Sequence, residues 1–250
     1  MRKVLVLTEQ KGWHFHQLEK SFLKKQIKME AYNLTDMSLS LVENENKIFA
    51  NGKELNDITD VLVRFIPNGT LEEIVTYLNI LKVFKMKGVN VMNSAENIEL
   101  TVDKSLTTAI LNQRDIYTPQ TWVIRGIKET KILVKKLLEK HSLIYKPIFG
   151  SQGNNVKKIE NIQDLESIIN STNIYYLQEF LHTKPFHDYR VLVIKNINQK
   201  KMFSMIRYGK SYVSNFSKGA KCMPVELDTK LTETALSAAT VFDLPLCGVD

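Results

Sequence analysis

Val4-Leu5-Val6-Leu7 and Val61-Leu62-Val63 are short, uninterrupted apolar runs, suited to strands buried on both faces. Residues 29–34 and 89–92 read as two further strands. After the first strand comes a polar, aromatic loop at 12–16, then a helix to about residue 26. The stretch 39–49, broken at Glu43-Asn44-Glu45-Asn46, reads as a hairpin. From 71 to 84 the apolar residues Leu71, Ile74, Val75, Leu78, Leu81 and Phe84 recur at helical spacing. Strands alternating with helices through residue 93 predict an α/β domain with a mainly parallel sheet.

The pattern then changes. Asp103 is placed to cap a helix running to about 114, which Pro119 terminates before a short extended stretch. A helix is predicted over 128–140, strands over 143–148 and 156–159 flanking a glycine-containing loop, and a short helix over 162–169. Residues 94–174 thus form an α+β unit with a hairpin rather than a crossover. The remainder, 175–250, is strand-rich. Strands are predicted over 174–181, 188–195 and 201–208, a helix with Ala235, Ala238, Ala239 and Phe242 on one face over 230–242, and a final strand beginning at Cys247.

Composition narrows the function classes without choosing one. With 44% hydrophobic and 24% charged residues among 250, the chain can bury a core. No apolar run approaches the roughly 20 residues of a membrane helix. The opening MRKVLVLTEQ is too short for a signal-peptide core, so a cytoplasmic location is expected. Cys222 and Cys247, without a CxxC, argue against a disulfide framework or a zinc site. The net charge of +7 admits a nucleic-acid surface, solvated lysine-rich faces or a basic cleft for anions. Of 34 basic residues only six are arginine. Each arginine therefore raises the question of whether its planar fork is needed.

Several residues could carry chemistry. The loop Gly150-Ser151-Gln152-Gly153-Asn154-Asn155 between two strands is either a phosphate cradle or a tight turn. Lys146 lies inside the apolar strand beside it, and a buried ammonium needs an anionic partner, whether a structural carboxylate or a phosphate. Lys104 opens a helix, the wrong end for a cation unless Asp103 or a ligand offsets it. Asp188 and Arg190 share a strand face, in a cross-strand salt bridge or a site. Arg207 ends an apolar row and suits a cleft mouth. His14-Phe15-His16 has metal-like spacing but no third ligand, and reads as a loop.

The order of these motifs resembles the ATP-grasp superfamily, and within it the RimK-like glutamate ligases. The series is Asn93-Ser94-Ala95-Glu96, Asp103-Lys104, Tyr145-Lys146-Pro147 with the glycine loop, Gln178-Glu179-Phe180-Leu181, Asp188-Tyr189-Arg190, Ser214-Asn215-Phe216 with Lys218-Gly219, and Gly248-Val249-Asp250. Residues 63–73 are further similar to the branch linked to tetrahydromethanopterin biosynthesis. The resemblance implies an ATP-grasp fold, mixed α/β and α+β. An N-terminal parallel-sheet domain (1–93) would precede two α+β subdomains (94–174 and 175–250) that clasp ATP.

By the same resemblance, Lys104 and Lys146 bind nucleotide phosphates, with Gly150, Ser151, Gln152 and Gly153 covering them. Gln178, Glu179, Phe180 and Leu181 form the adenine hinge, and Asp188 lies near the ribose. Arg207, Asn215 and Arg190 are the implied catalytic residues, Arg64 and Lys218 the contacts to an acidic substrate, and Asp250 a ligand of Mg²⁺, with Mn²⁺ as an alternative metal. The implied reaction is an ATP-dependent carboxylate–amine ligation through an acyl phosphate, joining a small-molecule or peptide carboxylate to an amino acid such as glutamate. The implied enzyme works without a membrane or nucleic acid, and a homo-oligomer is compatible with it.

Two departures stand out. Asn155 replaces a second glycine, which its tolerance of left-handed geometry makes mild. The Glu-x-Asn pair that follows the last strand in relatives has no counterpart by Asp250. Residues 1–250 therefore read as a truncated chain, expected to leave a gap beside Asp250 and not to turn over ATP at a useful rate. The competing classes are an ATP-binding module without catalysis and a basic nucleic-acid binder, the latter disfavoured by dispersed lysines.

Overall fold

The computed structural model describes residues 2–43, 45–150, 153–168, 173–196 and 198–250. It divides into two compact units, residues 1–99 and 100–250.

The first unit follows the apolar pattern closely. Its elements are β1 (Lys3–Leu7), α1 (Trp13–Lys24), β2 (Lys28–Tyr32), β3 (Met37–Val42), β4 (Glu45–Ala50), β5 (Lys53–Glu54), β6 (Asp60–Val63), α2 (Leu71–Met86) and β7 (Asn90–Met92). Helix α3 (Ala95–Val102) spans the boundary between the units. Strands β2-β1-β6-β7 form a wholly parallel sheet, with β1 paired on both sides. That central place explains its unbroken apolar run. Leu5 and Leu7 are fully buried against Ile80, Leu81 and Phe84 of α2, each contributing roughly 1.5–3 kcal/mol by transfer from water. A capping box fixes where α2 starts: the Thr70 hydroxyl accepts from the Glu73 amide, and the Glu73 carboxylate accepts from the Thr70 amide. Strands β3-β4-β5 form a separate antiparallel ladder.

Two expectations are corrected here. The presumed loop at 12–16 is already helical from Trp13, because Phe15 is buried and draws the first turn onto the core. The second strand stops at Tyr32, two residues early. Asn33 instead accepts from the Thr35 amide and opens a 3₁₀ turn over Leu34–Asp36.

The second unit contains α4 (Lys104–Gln113), β8 (Thr121–Arg125), α5 (Ile127–Leu137), β9 (Leu143–Lys146), β10 (Lys157–Ile159), α6 (Gln163–Glu166), β11 (Ile174–Glu179), β12 (His187–Lys195), β13 (Lys200–Tyr208), β14 (Lys221–Pro224), α7 (Thr229–Val241) and β15 (Leu246–Val249). Two antiparallel sheets result, ordered β10-β9-β11-β8 and β14-β13-β12-β15. The first packs Leu143, Tyr145 and Leu177 against Val134 of α5. The second packs Val191 and Val193 against Ala235 and Ala239 of α7. By the period of two, Asp188, Arg190 and Leu192 occupy the opposite face of β12. Strand β14 was not expected, since KCMP carries no alternation. Its ladder with β13 makes it a strand.

Candidate active site

The face of the second sheet turned away from α7 carries a charged cluster. Arg207 on β13 is opposite Asp188 on β12 and only 6% exposed. Its Nε donates to Asp188 Oδ1 at 2.6 Å and its Nη2 to Asp188 Oδ2 at 2.8 Å, a two-pronged pairing. The same Nη2 donates to Asp250 Oδ1 at 2.9 Å. Arg190 donates from Nη1 to both oxygens of Asp250, each at 2.8 Å. Burial draws the Arg207 pKa down, but Asp188 and Asp250 outweigh it, and the guanidinium is held above its ordinary value. Gly248 makes room for this arrangement, because a Cβ there would collide with the Arg190 guanidinium. Asp188 and Arg190 do share a face, yet each takes a different partner. The cross-strand pairing runs from Asp188 to Arg207.

A second cation pair lies in the same unit. Lys146, the last residue of β9, donates to Gln178 Oε1 at 2.6 Å. Lys104, the first residue of α4, donates to the carbonyls of Ile148 and Gly150, each at 2.9 Å. Among the described residues, neither ammonium hydrogen-bonds a carboxylate. Asp103 caps α4 instead, accepting from the Ser105 and Leu106 amides. Burial pushes the Lys104 ammonium down to about 8, the neighbouring charge of Lys146 adding to the shift. Burial also lowers Lys146, against the opposing pull of Asp250. These couplings link four cations, Lys104, Lys146, Arg190 and Arg207, with three carboxylates, Asp103, Asp188 and Asp250. The excess positive charge suits a polyanion.

The described ends of the glycine loop touch two places, Gly150 through its carbonyl to Lys104 and Gly153 against the Val213–Asn215 segment. Gly153 has φ +69, and a Cβ there would lie 2.5 Å from Val213 Cγ1 and 2.7 Å from Asn215 Oδ1, so its backbone lies close against the segment carrying Asn215. Asn155 takes φ +57, the left-handed geometry expected of it. Ser151 and Gln152 lie outside the described residues. In the expected hinge, the Glu179 and Phe180 amides bond the carbonyls of Gln120 and Ser142. The Leu181 amide has no backbone partner among the described residues. The Glu179 carboxylate faces His141, and Phe180 stacks edge-on against Tyr212. Lys218 is exposed on a 3₁₀ turn that follows Asn215. Arg64 belongs to the first unit, at the end of β6.

Three contributors were missed in the sequence. Thr108, Thr121 and Tyr176 fix the Gln178 side chain: its Nε2 donates to Thr121 Oγ1 at 3.0 Å and to the Tyr176 hydroxyl at 3.1 Å, which meets Thr108 Oγ1 at 2.9 Å. Their signal was positional. Thr108 lies one turn after Lys104, and Tyr176 two residues before Gln178, on the same faces. For a divalent cation, no three carboxylate, histidine or cysteine side chains gather among the described residues. Asp250 offers one carboxylate, which fits a metal shared with nucleotide oxygens rather than a protein-only site. Among the described residues, no helix is long and apolar enough to cross a membrane.

Known proteins give this geometry a context. The model of the RimK PreATP-grasp domain matches residues 1–98, and that of the RimK-like ATP-grasp domain residues 101–250. A probable alpha-L-glutamate ligase of Rhodopirellula baltica is 27% identical over 230 residues, covering 90% of this chain and 55% of its own length. The tetrahydromethanopterin:alpha-L-glutamate ligase of Methanosarcina acetivorans is 23% identical over 211 residues, covering 78% of this chain and 64% of its own. The chain thus spans little more than half to two-thirds of these relatives. The ATP-grasp ligase PsnB, solved with a minimal precursor, Mg and ADP, superposes with a TM-score of 0.66 at 17% identity, over 98% of this chain and 82% of that one. That likeness establishes the fold as ATP-grasp. With both of its halves matched in register, the chain belongs to the RimK-like ATP-grasp family.

Proposed function

We propose that the chain binds ATP and works as an ATP-dependent carboxylate–amine ligase of the acid–amino acid type, with glutamate as the amino-acid substrate. The observation that carries this reading is the pair Lys104 and Lys146. Two partly buried ammoniums, hydrogen-bonded among the described residues to carbonyl and amide oxygens and to no carboxylate, retain their charge for a ligand. The glutamate ligases among the relatives suggest the substrate class.

In the proposed reaction, a substrate carboxylate oxygen attacks the γ-phosphorus and the bond to ADP breaks, leaving an acyl phosphate. The glutamate amine then adds to the acyl carbon. The tetrahedral adduct expels phosphate, and the nitrogen loses its proton to solvent. Lys104 and Lys146 are assigned to the phosphates, Arg207, Arg190 and Asn215 to the charge that develops on the transferred group. Gly150–Gly153 shield the acyl phosphate from water. Gln178–Leu181 border the adenine, with the Leu181 amide available to its edge, and Asp188 anchors Arg207 from the ribose side. Arg64 and Lys218 are assigned to the acidic substrate. Mg²⁺, or Mn²⁺, held by Asp250 and phosphate oxygens, would neutralise charge on the β- and γ-phosphates. The working division is 1–93, 94–174 and 175–250.

A second reading, a nucleotide-binding module without turnover, is favoured by Asp250 itself, whose carboxylate is engaged by two guanidiniums. Two measurements separate the possibilities. Calorimetry with ADP should give saturable binding that Lys146→Met weakens about 30-fold or more. Unchanged affinity in that variant would make Lys146 a structural residue. With ATP and a glutamate-ended peptide as the carboxylate substrate, hydroxylamine in place of glutamate as the amine should yield a hydroxamate in step with ADP. Binding without ADP production would select the second reading.

A further inference from the structure

Helix α2 buries Tyr77, Ile80, Leu81 and Phe84 in the core of the first unit. At about 100° per residue, Leu71, Val75, Asn79, Lys82 and Met86 fall within an arc of about 80° on its other side. Three of these five are large and apolar: Leu71, Val75 and Met86 are 75%, 44% and 75% exposed. The Met86 end carries more of the same. Lys87 donates to the Asn46 carbonyl there, and Asn46 pairs with Leu41 near the tip of the β3–β4 hairpin. Leu41 and Val42 at that tip are also exposed. Apolar surface gathered in this way marks a contact site.

The order of residues along the stripe says what covers it. Leu71 and Met86 lie at equal distances on either side of the midpoint between Leu78 and Asn79, and so do Val75 and Lys82. A second copy of α2, laid antiparallel about a two-fold axis through that midpoint, sets Leu71 against Met86 of the other copy at both ends. Val75 meets the methylene stem of the other Lys82, and Asn79 meets its own equivalent. The charges agree with this register. Glu72 lies one turn before Val75, and its carboxylate has no ion pair or hydrogen bond among the described residues. It comes within reach of the other copy's Lys82, whose bond to Glu99 in its own chain is long, at 3.5 Å. A parallel arrangement would set Glu72 against Glu72 and Lys82 against Lys82.

We propose that α2 is a self-association surface, on which two copies of this chain pack α2 against α2, antiparallel, about the point between Leu78 and Asn79. At a crossing angle of about 20° the two helices stay in contact along most of their length. One helix and a hairpin tip from each copy fall short of the roughly 1,200–2,000 Å² of a standard stable interface. The dimer is therefore concentration-dependent, with dissociation in the micromolar range. The interface lies wholly within residues 1–99 and does not depend on the ligase reading.

Sedimentation velocity of the full chain, over two decades of concentration through the micromolar range, should show a monomer–dimer equilibrium. Leu71→Glu puts a carboxylate in the first turn of α2, where the helix dipole favours it, so the fold is kept, as circular dichroism would check. It also sets that charge against Met86 of the other copy at both ends, and should weaken the dimer about 10-fold or more. Cross-linking reads the register separately. Only at the two-fold does a position meet itself, so Asn79→Cys should close an intermolecular disulfide on mild oxidation. Leu71→Cys alone should not, whereas Leu71→Cys mixed with Met86→Cys should. Wild type, which keeps Cys222 and Cys247, is the control. A monomer at every concentration would overturn the proposal. So would a dimer as strong in folded Leu71→Glu as in wild type, or Leu71→Cys alone cross-linking as readily as Asn79→Cys.

Discussion

Replacing Arg207 by methionine removes three charge-assisted hydrogen bonds at once, two to Asp188 and one to Asp250. Breaking a fully buried ion pair by deleting one partner costs about 3–5 kcal/mol, because the other charge is stranded. Here the arginine side chain is 7% exposed, but Asp188 and Asp250 are 36% and 48% exposed. Both carboxylates regain water once the arginine is gone, which reduces the loss to about 2–3 kcal/mol. For a unit of this size, that corresponds to a fall in Tm of roughly 4–12 °C. Urea unfolding followed by circular dichroism and by the fluorescence of Trp122, which sits in the same unit against His141, would measure it. A double-mutant cycle adds the decisive arm: Asp188→Asn should cost markedly less in the Arg207→Met background than alone. A loss below about 0.5 kcal/mol, or simple additivity of the two changes, would refute the view that this cluster is energetically coupled.

Two further outcomes follow from the same unit. Gly153→Ala meets both a positive φ and a close approach to Val213 and Asn215; a cost of about 1–2 kcal/mol in denaturation, with weaker ADP binding, is expected, and a neutral result would mean the loop does not pack as described. The pH dependence turns on Lys104, whose pKa is pushed down to about 8 in the folded chain. A depressed lysine binds fewer protons folded than unfolded above that pH, so its burial penalty is present below about 8 and fades as pH rises toward the ordinary lysine value. Phosphate binding reverses the shift: near pH 8.5 ADP should bind with proton uptake, and its affinity should fall as pH climbs further. Calorimetry in buffers of different ionisation heat reads that directly, and proton release would contradict it.

The strands and helices of the first unit were legible because apolar periodicity and burial coincide there, as at Leu5, Leu7 and the α2 stripe. Legibility failed where local chemistry overrode pattern: at Asn33, whose side chain opens a turn, and at β14, whose strand exists only through its ladder with β13. Of the candidate-site residues, Lys104, Lys146, Asp188, Arg190 and Arg207 stood out in the sequence as charges in apolar or capped segments, and Asp250 through the resemblance alone. Pairing was another matter. That Asp250 holds Arg190, and that Gln178 holds Lys146, are contacts made across 60 and 32 residues of sequence. No local periodicity encodes such distances. Thr108 and Tyr176 carried only a positional signal, one turn from Lys104 and two residues from Gln178, and the hydroxyl contacts that give them and Thr121 their place are long-range.

Under the proposed reading, the charge of the site hangs on position 178. An amide there steadies Lys146 without neutralising it, and glutamate has nearly the same shape. Gln178→Glu would keep the packing and give Lys146 a permanent internal counter-ion, so a drifting copy could fall silent toward nucleotides while its fold gave no outward sign.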